Sequence, residues 1–333
     1  MSNILLAYNN RATGATFAGG SYTAGLPRSN LGTSDIDEVA RTSSAALANT
    51  RFRFDLTASR SLRTLSLTNH NLSTAAQVRL RTGRAVFDVD WASYIAEDRA
   101  TFSGGAGGTV VTSAGLVATA TTPRITYTPV TLVALGLLTE EQLTNLLTYS
   151  EQFDNAAWSK ANNTITANAA IGPDGTMSMD KTVPSAAVTM GTGNSQTRIS
   201  SVAVAQTSGT VYRASIFAKA GEFNSLFIGW IDTAGNSTMK YNLATGVASV
   251  VSGPGTPSMI SFGGGIYLCI LTITRVTTES QSVRFSAGDS VATAGDGTSG
   301  IYISGAQLKA ASFLPSYTPT TSAAVTQTAD STT

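Results

Sequence analysis

Apolar residues recur at every second position in short stretches spread along this chain, and that alternation limits the folds open to it. RFRFDLT sets Phe52, Phe54 and Leu56 against Arg51, Arg53 and Asp55. LRTLSLT offers Leu65 and Leu67, and QVRLR offers Val78 and Leu80 between Gln77, Arg79 and Arg81. RAVFDVDW places Ala85, Phe87, Val89 and Trp91 opposite Arg84, Asp88 and Asp90, and VYRASIFAKA places Tyr212, Ala214, Ile216 and Ala218 on one face. Side chains alternate across a strand, so this pattern marks antiparallel strands with one buried face. SLFIGWI is apolar on both faces, as a central strand covered on each side would be. GIYLCILTITRV and GIYISGAQL are similar and follow the Gly-rich turns SFGGG and GDGTSG. Short strands with turn signals between them predict an all-β chain of sandwich or jelly-roll type. No short fixed repeat appears, which disfavours a β-helix or propeller.

A length of 333 residues suits two domains. Charged residues are 12% of the chain, against about 25% in ordinary globular proteins. Thr, Ser, Asn and Gln must therefore keep the exposed sheet faces wet. The net charge of +1 provides no general field for nucleic acid. The arginines at 51, 53, 60, 63, 79, 81 and 84 alternate with apolar residues and read as solvated strand faces. A single cysteine, Cys269, excludes an internal disulfide and predicts folding in a reducing cytoplasm. Its apolar surroundings predict a small buried hydrophobe; a nucleophile is the alternative. MSNILLAYNNRATG lacks the charged start of a signal peptide. No stretch reaches the roughly 18 apolar residues of a membrane span.

The expected organisation is a β-sandwich over residues 1–97, an extended Gly/Thr-rich linker over 98–144, a jelly roll over 145–320 and a flexible tail over 321–333. FSGGAGGTVVTSAGLVATA has few bulky groups and reads as linker or extended arm. Pro123 and Pro129 then hold the backbone extended. LTEEQLTNLL is open to two readings. Thr139 with Gln142 matches a capping box and Leu138 with Leu143 a hydrophobic staple, which favours one of a few short helices; an extended wrap is the other. The tail, rich in Thr, Ser, Ala and Gln, could also strap a neighbour.

Three blocks resemble, in order, a module common in tailed-bacteriophage virion proteins, known as a head-spike, tail-fibre or carbohydrate-binding-like domain. They are PRITYTPVTLVALGLLTEEQLTNLLTYSEQFDNAAWSK followed by IGPDGTMSMDKTV, then GTVYRASIFAKAG, then IYISGAQLKAASFLPSYTPTTSAAVTQTAD, over about residues 101–330. VALGLLTEEQL departs from the pattern, since many relatives are more basic or carry proline there. Residues 25–92, with LRTLSLTNHNLSTAAQVRLR, also resemble an N-terminal β-sandwich of phage tail-associated proteins. The resemblance implies a non-enzymatic structural protein of the virion, displayed for host-surface adhesion or particle decoration. It would contact other virion proteins and host-surface glycan, and assemble as a homo-oligomer, a trimer in the case of a spike. A glycan-cleaving depolymerase and a prophage or bacterial adhesin are the alternatives.

Glycan cleavage needs two carboxylates roughly 5–9.5 Å apart. Asp35, Asp37 and Glu38, or Glu140 with Glu141, are the candidates, and both groups also read as ordinary loop or first-turn acids. His70 is the only histidine, too few for a multi-histidine metal site, and reads as a turn residue. Asp174 and Asp296 could contribute to calcium sites but more often make Gly-flanked turns. No cofactor is expected. For glycan binding, Trp158, Tyr212, Trp230, Tyr241, Tyr267 and Tyr302 are the available aromatics. Trp158, Trp230 and Tyr241 are the candidate contacts; core packing is the competing role for each.

Overall fold

Alternating inward residues close two six-stranded antiparallel sheets over one core. The computed structural model describes residues 102–120, 123–189, 196–230, 232, 235–290 and 294–332, and the backbone of four short strands before them. The chain divides into two compact units, Met1–Val86 and Phe87–Thr333. In the first unit the described strands are Thr16–Ala18 and Arg53–Asp55, paired antiparallel. In the second, Val89–Asp90 pairs with Ile95–Ala96. The other strands expected before residue 98, with His70, Asp35, Asp37 and Glu38, lie outside the described residues.

The first sheet runs Asn163–Ile171, Met177–Pro184, Ile301–Ala310, Val211–Ala220, Ile266–Thr274, Thr256–Gly263. The second runs Ser159–Ala161, Arg198–Ser200, Val283–Ala287, Ser225–Trp230, Ser237–Asn242, Val247–Ser252. Successive strands pass back and forth between the sheets, so neighbours in space are often distant in sequence. Tyr212, Ala214, Ile216 and Ala218 face Leu226, Ile228, Trp230 and Phe285 across the core. Ser225–Trp230 is buried along its whole length, as its two apolar faces predicted.

A second, smaller core lies behind the first sheet. Phe217, on the face opposite Ile216, packs with Val117, Met179 and Ile266, and Tyr317 closes over it. The Phe217 ring meets those of Phe262 and Tyr317 edge-on, at 5.0 and 5.9 Å. Gly305 permits this approach: it has φ +61°, and a Cβ there would come within 2.8 Å of the Phe217 ring.

The covering layer comes from residues expected to be a linker. Thr109–Val111 pairs with Val117–Thr119, and Ile125–Tyr127 with Ala134–Leu137. The segment is folded, which corrects the extended-linker reading. The tail reading is corrected too. Val325–Gln327 pairs with Leu143–Asn145, Ser331–Thr332 pairs with Phe102–Ser103, and Gln327 is fully buried. The tail straps its own chain. LTEEQLTNLL is extended, and the described residues contain no helix. A helix would satisfy local capping, but the extended form buries Leu143 and Asn145 and delivers Glu140 to a buried arginine.

Candidate functional site

Buried ionisable groups are where chemistry would be sought first, and the largest cluster lies beneath the strap. Arg124, 1% exposed, donates to Glu140 Oε2 and Asp330 Oδ2, both at 2.8 Å. It also donates to Thr109 O at 2.9 Å and Ser316 Oγ at 2.7 Å. Glu140 accepts from Ser316 N (2.7 Å), Ser316 Oγ (2.6 Å) and Gln327 Nε2 (2.8 Å). Burial alone would raise the Glu140 pKa, but the hydrogen bonds from Ser316, Gln327 and Arg124 outweigh it and hold the carboxylate below its ordinary range. Lys309 Nζ donates to Ser316 O at 2.9 Å and Thr318 Oγ1 at 2.7 Å. Burial lowers its pKa from 10.5 to about 8. An amine so poised would be a nucleophile if substrate could reach it; Lys309 is 0% exposed. The cluster is a clasp. Glu140 is bound on both oxygens and Glu141 is exposed, so they are not a cooperating acid pair.

A second buried cation, Arg275, holds Asp232 at 2.7 Å and Glu279 at 2.8 Å and lies 5.6 Å over the Trp230 ring. It braces one end of the sandwich core.

The three aromatics singled out as glycan contacts all lie inside, a correction to that assignment. Trp158 is 2% exposed, its ring 4.8 Å from that of Phe153, and its Nε1 donates to Tyr149 O. Trp230 and Tyr241 are both 0% exposed. Their polar atoms are occupied as well, Trp230 Nε1 by Gln206 Oε1 and the Tyr241 hydroxyl by Ile270 O. None offers a ring face to a sugar. Cys269 is buried, and burial pushes its thiol well up, away from reactivity. Asp174 and Asp296 each serve their own turn, Asp174 through Thr176 and Ser178, Asp296 through Thr298 and Ser299. Among the described residues no group of three or more His, Cys, Asp or Glu could hold a metal, and no helix could cross a membrane.

Two features escaped the sequence. The first is the face of the second sheet turned away from the core, where Ser225, Phe227 and Ser286 are each 1% exposed. Ile199, Phe285, Ile228 and Met239 point inward, so Arg198, Arg284, Phe227 and Lys240 share the opposite face. Pairing sets Ser200 and Gly229 on either side of Arg284, and Ser286 and Lys240 on either side of Phe227. Lys240 Nζ lies 6.0 Å from the centre of the Phe227 ring. Burial, then the charge of Arg198, hold Arg284 below its ordinary pKa, so the two guanidinium groups sense each other. The remaining outward positions on these strands are Ser, Thr, Asn, Ala, Gly and Val, and Lys240 Nζ donates to Asp289 O. The second feature is an acid pair. Burial raises Glu151 most; the hydrogen bond it accepts from the Tyr317 hydroxyl (3.0 Å) opposes this, and the charge of Asp174 adds to the rise. Burial would raise Asp174 too, but the Ser178 and Thr176 hydroxyls hold it low. The basic row comes from strands up to 86 residues apart and the acid pair from two turns, so no contiguous motif announces either.

No family model and no curated protein matches the chain. Among solved structures it is similar to the CBM22-1 and GH10 modules of the N-terminal endo-1,4-beta-D-xylanase 10B of Clostridium thermocellum, complexed with xylohexaose. Identity is 14%, the match covers 53% of this chain and 30% of that one, and the TM-score is 0.30. A likeness that slight carries no argument about activity.

Proposed function

We propose that this chain is a non-enzymatic structural protein of a tailed-phage virion, displayed for adhesion to a host surface. The resemblance of the three sequence blocks carries both the virion assignment and the adhesive part. Modest affinity at one site suffices when copies act together. The glycan-cleaving alternative keeps one specific support, the opposed pKa shifts of Glu151 and Asp174, a pattern shared by acid/base pairs in glycosidases.

Binding of the purified chain to intact host cells, with cells stripped of surface polysaccharide as control, tests the adhesive reading. The chain is expected to bind the intact cells and not the stripped ones. Equal binding to both, or binding to neither, would overturn it. Reducing ends released from host capsule or lipopolysaccharide and lost in Glu151→Gln would establish the enzyme instead.

A further inference from the structure

The layer behind the first sheet ends in three adjoining turns that carry large apolar side chains outward. Leu132, Val133 and Leu135 come from the hairpin joining Ile125–Tyr127 to Ala134–Leu137, Leu116 from the turn before Val117–Thr119, and Ile171 and Met177 from the hairpin of Asn163–Ile171 with Met177–Pro184. Their exposure runs from 39% at Leu116 to 64% at Leu135. The turns touch. A Cβ on Gly115 would lie 3.0 Å from Leu132 Cδ2, one on Gly175 3.2 Å from Leu116 Cδ1, Val117 N donates to Pro173 O, and Ile171 pairs with Met177. The six side chains form one continuous strip.

We propose that this strip is the contact between copies of this chain, with a second copy docking its own strip against it about a twofold axis. Three observations favour that occupant. Residues 125–138 contain no charged residue, so the surface has nothing that a differently charged partner must match and is compatible with itself. The Ala134–Leu137 strand pairs only with Ile125–Tyr127 among the described residues, leaving an edge without the lysines or inward charges that blunt such edges in monomers. Six large apolar side chains exposed by 39–64% stand at the upper end of what a monomer leaves in one patch, about 300–600 Å², against the roughly 800 Å² each partner gives to a stable interface. Leu132 adds a fourth sign. It has φ +56°, a strained backbone for a branched residue, and sits half-exposed against Gly115. Such strain concentrates where a surface is held ready for a ligand or partner.

The inference stands on the strip alone; failure to find the chain on a particle would leave it intact. Light scattering of the full chain in solution should give twice 34.3 kDa, and Leu135→Asp should give the single-chain mass with an unchanged circular dichroism spectrum. Leu135→Cys should form an interchain disulfide under mild oxidation, with no competition from Cys269, which is 0% exposed. Three results would overturn the proposal: a monomeric parent chain, an oligomer that persists in Leu135→Asp, or an oligomer in which Leu135→Cys does not cross-link. If Leu135→Asp fails to fold, the cross-linking result decides alone.

Discussion

Arg124 and Asp330, 206 residues apart in sequence, meet at 2.8 Å in a buried ion pair. Asp330 also accepts the Glu140 amide at 2.8 Å, so one carboxylate ties residue 330 to both sides of the hairpin of Ile125–Tyr127 with Ala134–Leu137. The pair turns a strap of Thr, Ser, Ala and Gln into an ordered closure.

Removing one partner should therefore be costly. Asp330→Ala leaves Arg124 its ion pair with Glu140 but removes two charge-assisted hydrogen bonds, from Arg124 and from the Glu140 amide, each worth about 1.5–3 kcal/mol. A loss of about 2–4 kcal/mol is expected by urea denaturation, with Tm lower by about 8 °C. A loss under 1 kcal/mol would show that the clasp is not closed in solution.

Lys309 predicts a pH dependence. Its folded pKa, about 8, lies below its ordinary 10.5. Between those values the unfolded chain keeps a proton that the folded chain has released, so the contribution of Lys309 rises with pH across the window, by up to ~3 kcal/mol. The opposite slope enters from about pH 9 with Cys269 and above pH 10 with Tyr241 and Tyr317, because burial raises all three and their unfolded forms ionise first. Lys309→Met should lose the rising contribution that starts near pH 8 and keep the falling one.

Cys269 should be silent to a thiol reagent such as dithiobis-nitrobenzoate in the native chain and react in full once urea unfolds it. Native-state labelling within minutes would contradict its burial in the core.

The buried aromatics should report on stability and not on binding. Trp230→Ala is expected to cost about 3–5 kcal/mol as a core truncation. Tyr241→Phe removes the hydroxyl bond to Ile270 O and should cost about 1 kcal/mol. Because the milder variant stays folded, its binding to host cells should equal that of the parent.

The sandwich was legible where a strand has one buried face. VYRASIFAKA declared Tyr212, Ala214, Ile216 and Ala218 as core, and they are. Legibility stopped where order comes from contacts distant in sequence. Nothing local to residues 102–120 or to TTSAAVTQTAD shows that Arg124, Glu140, Gln327 and Asp330 will converge. Likewise, Thr139 and Gln142 satisfy a helix rule that the tertiary pairing of Glu140 overrides. Aromatic residue type did not reveal which face a ring would take, because SLFIGW is buried on both sides. Arg198, Arg284 and Lys240 each looked like an ordinary polar position in its strand. Only strand order makes them a row.

Gold-labelled antibody against this chain, imaged on tailed-phage particles purified from the culture that produces it, tests the central claim most directly. The account predicts label at one fixed position on every intact particle, with particle preparations releasing no reducing ends through this chain. Particles that carry the full set of other virion proteins and no label would contradict it.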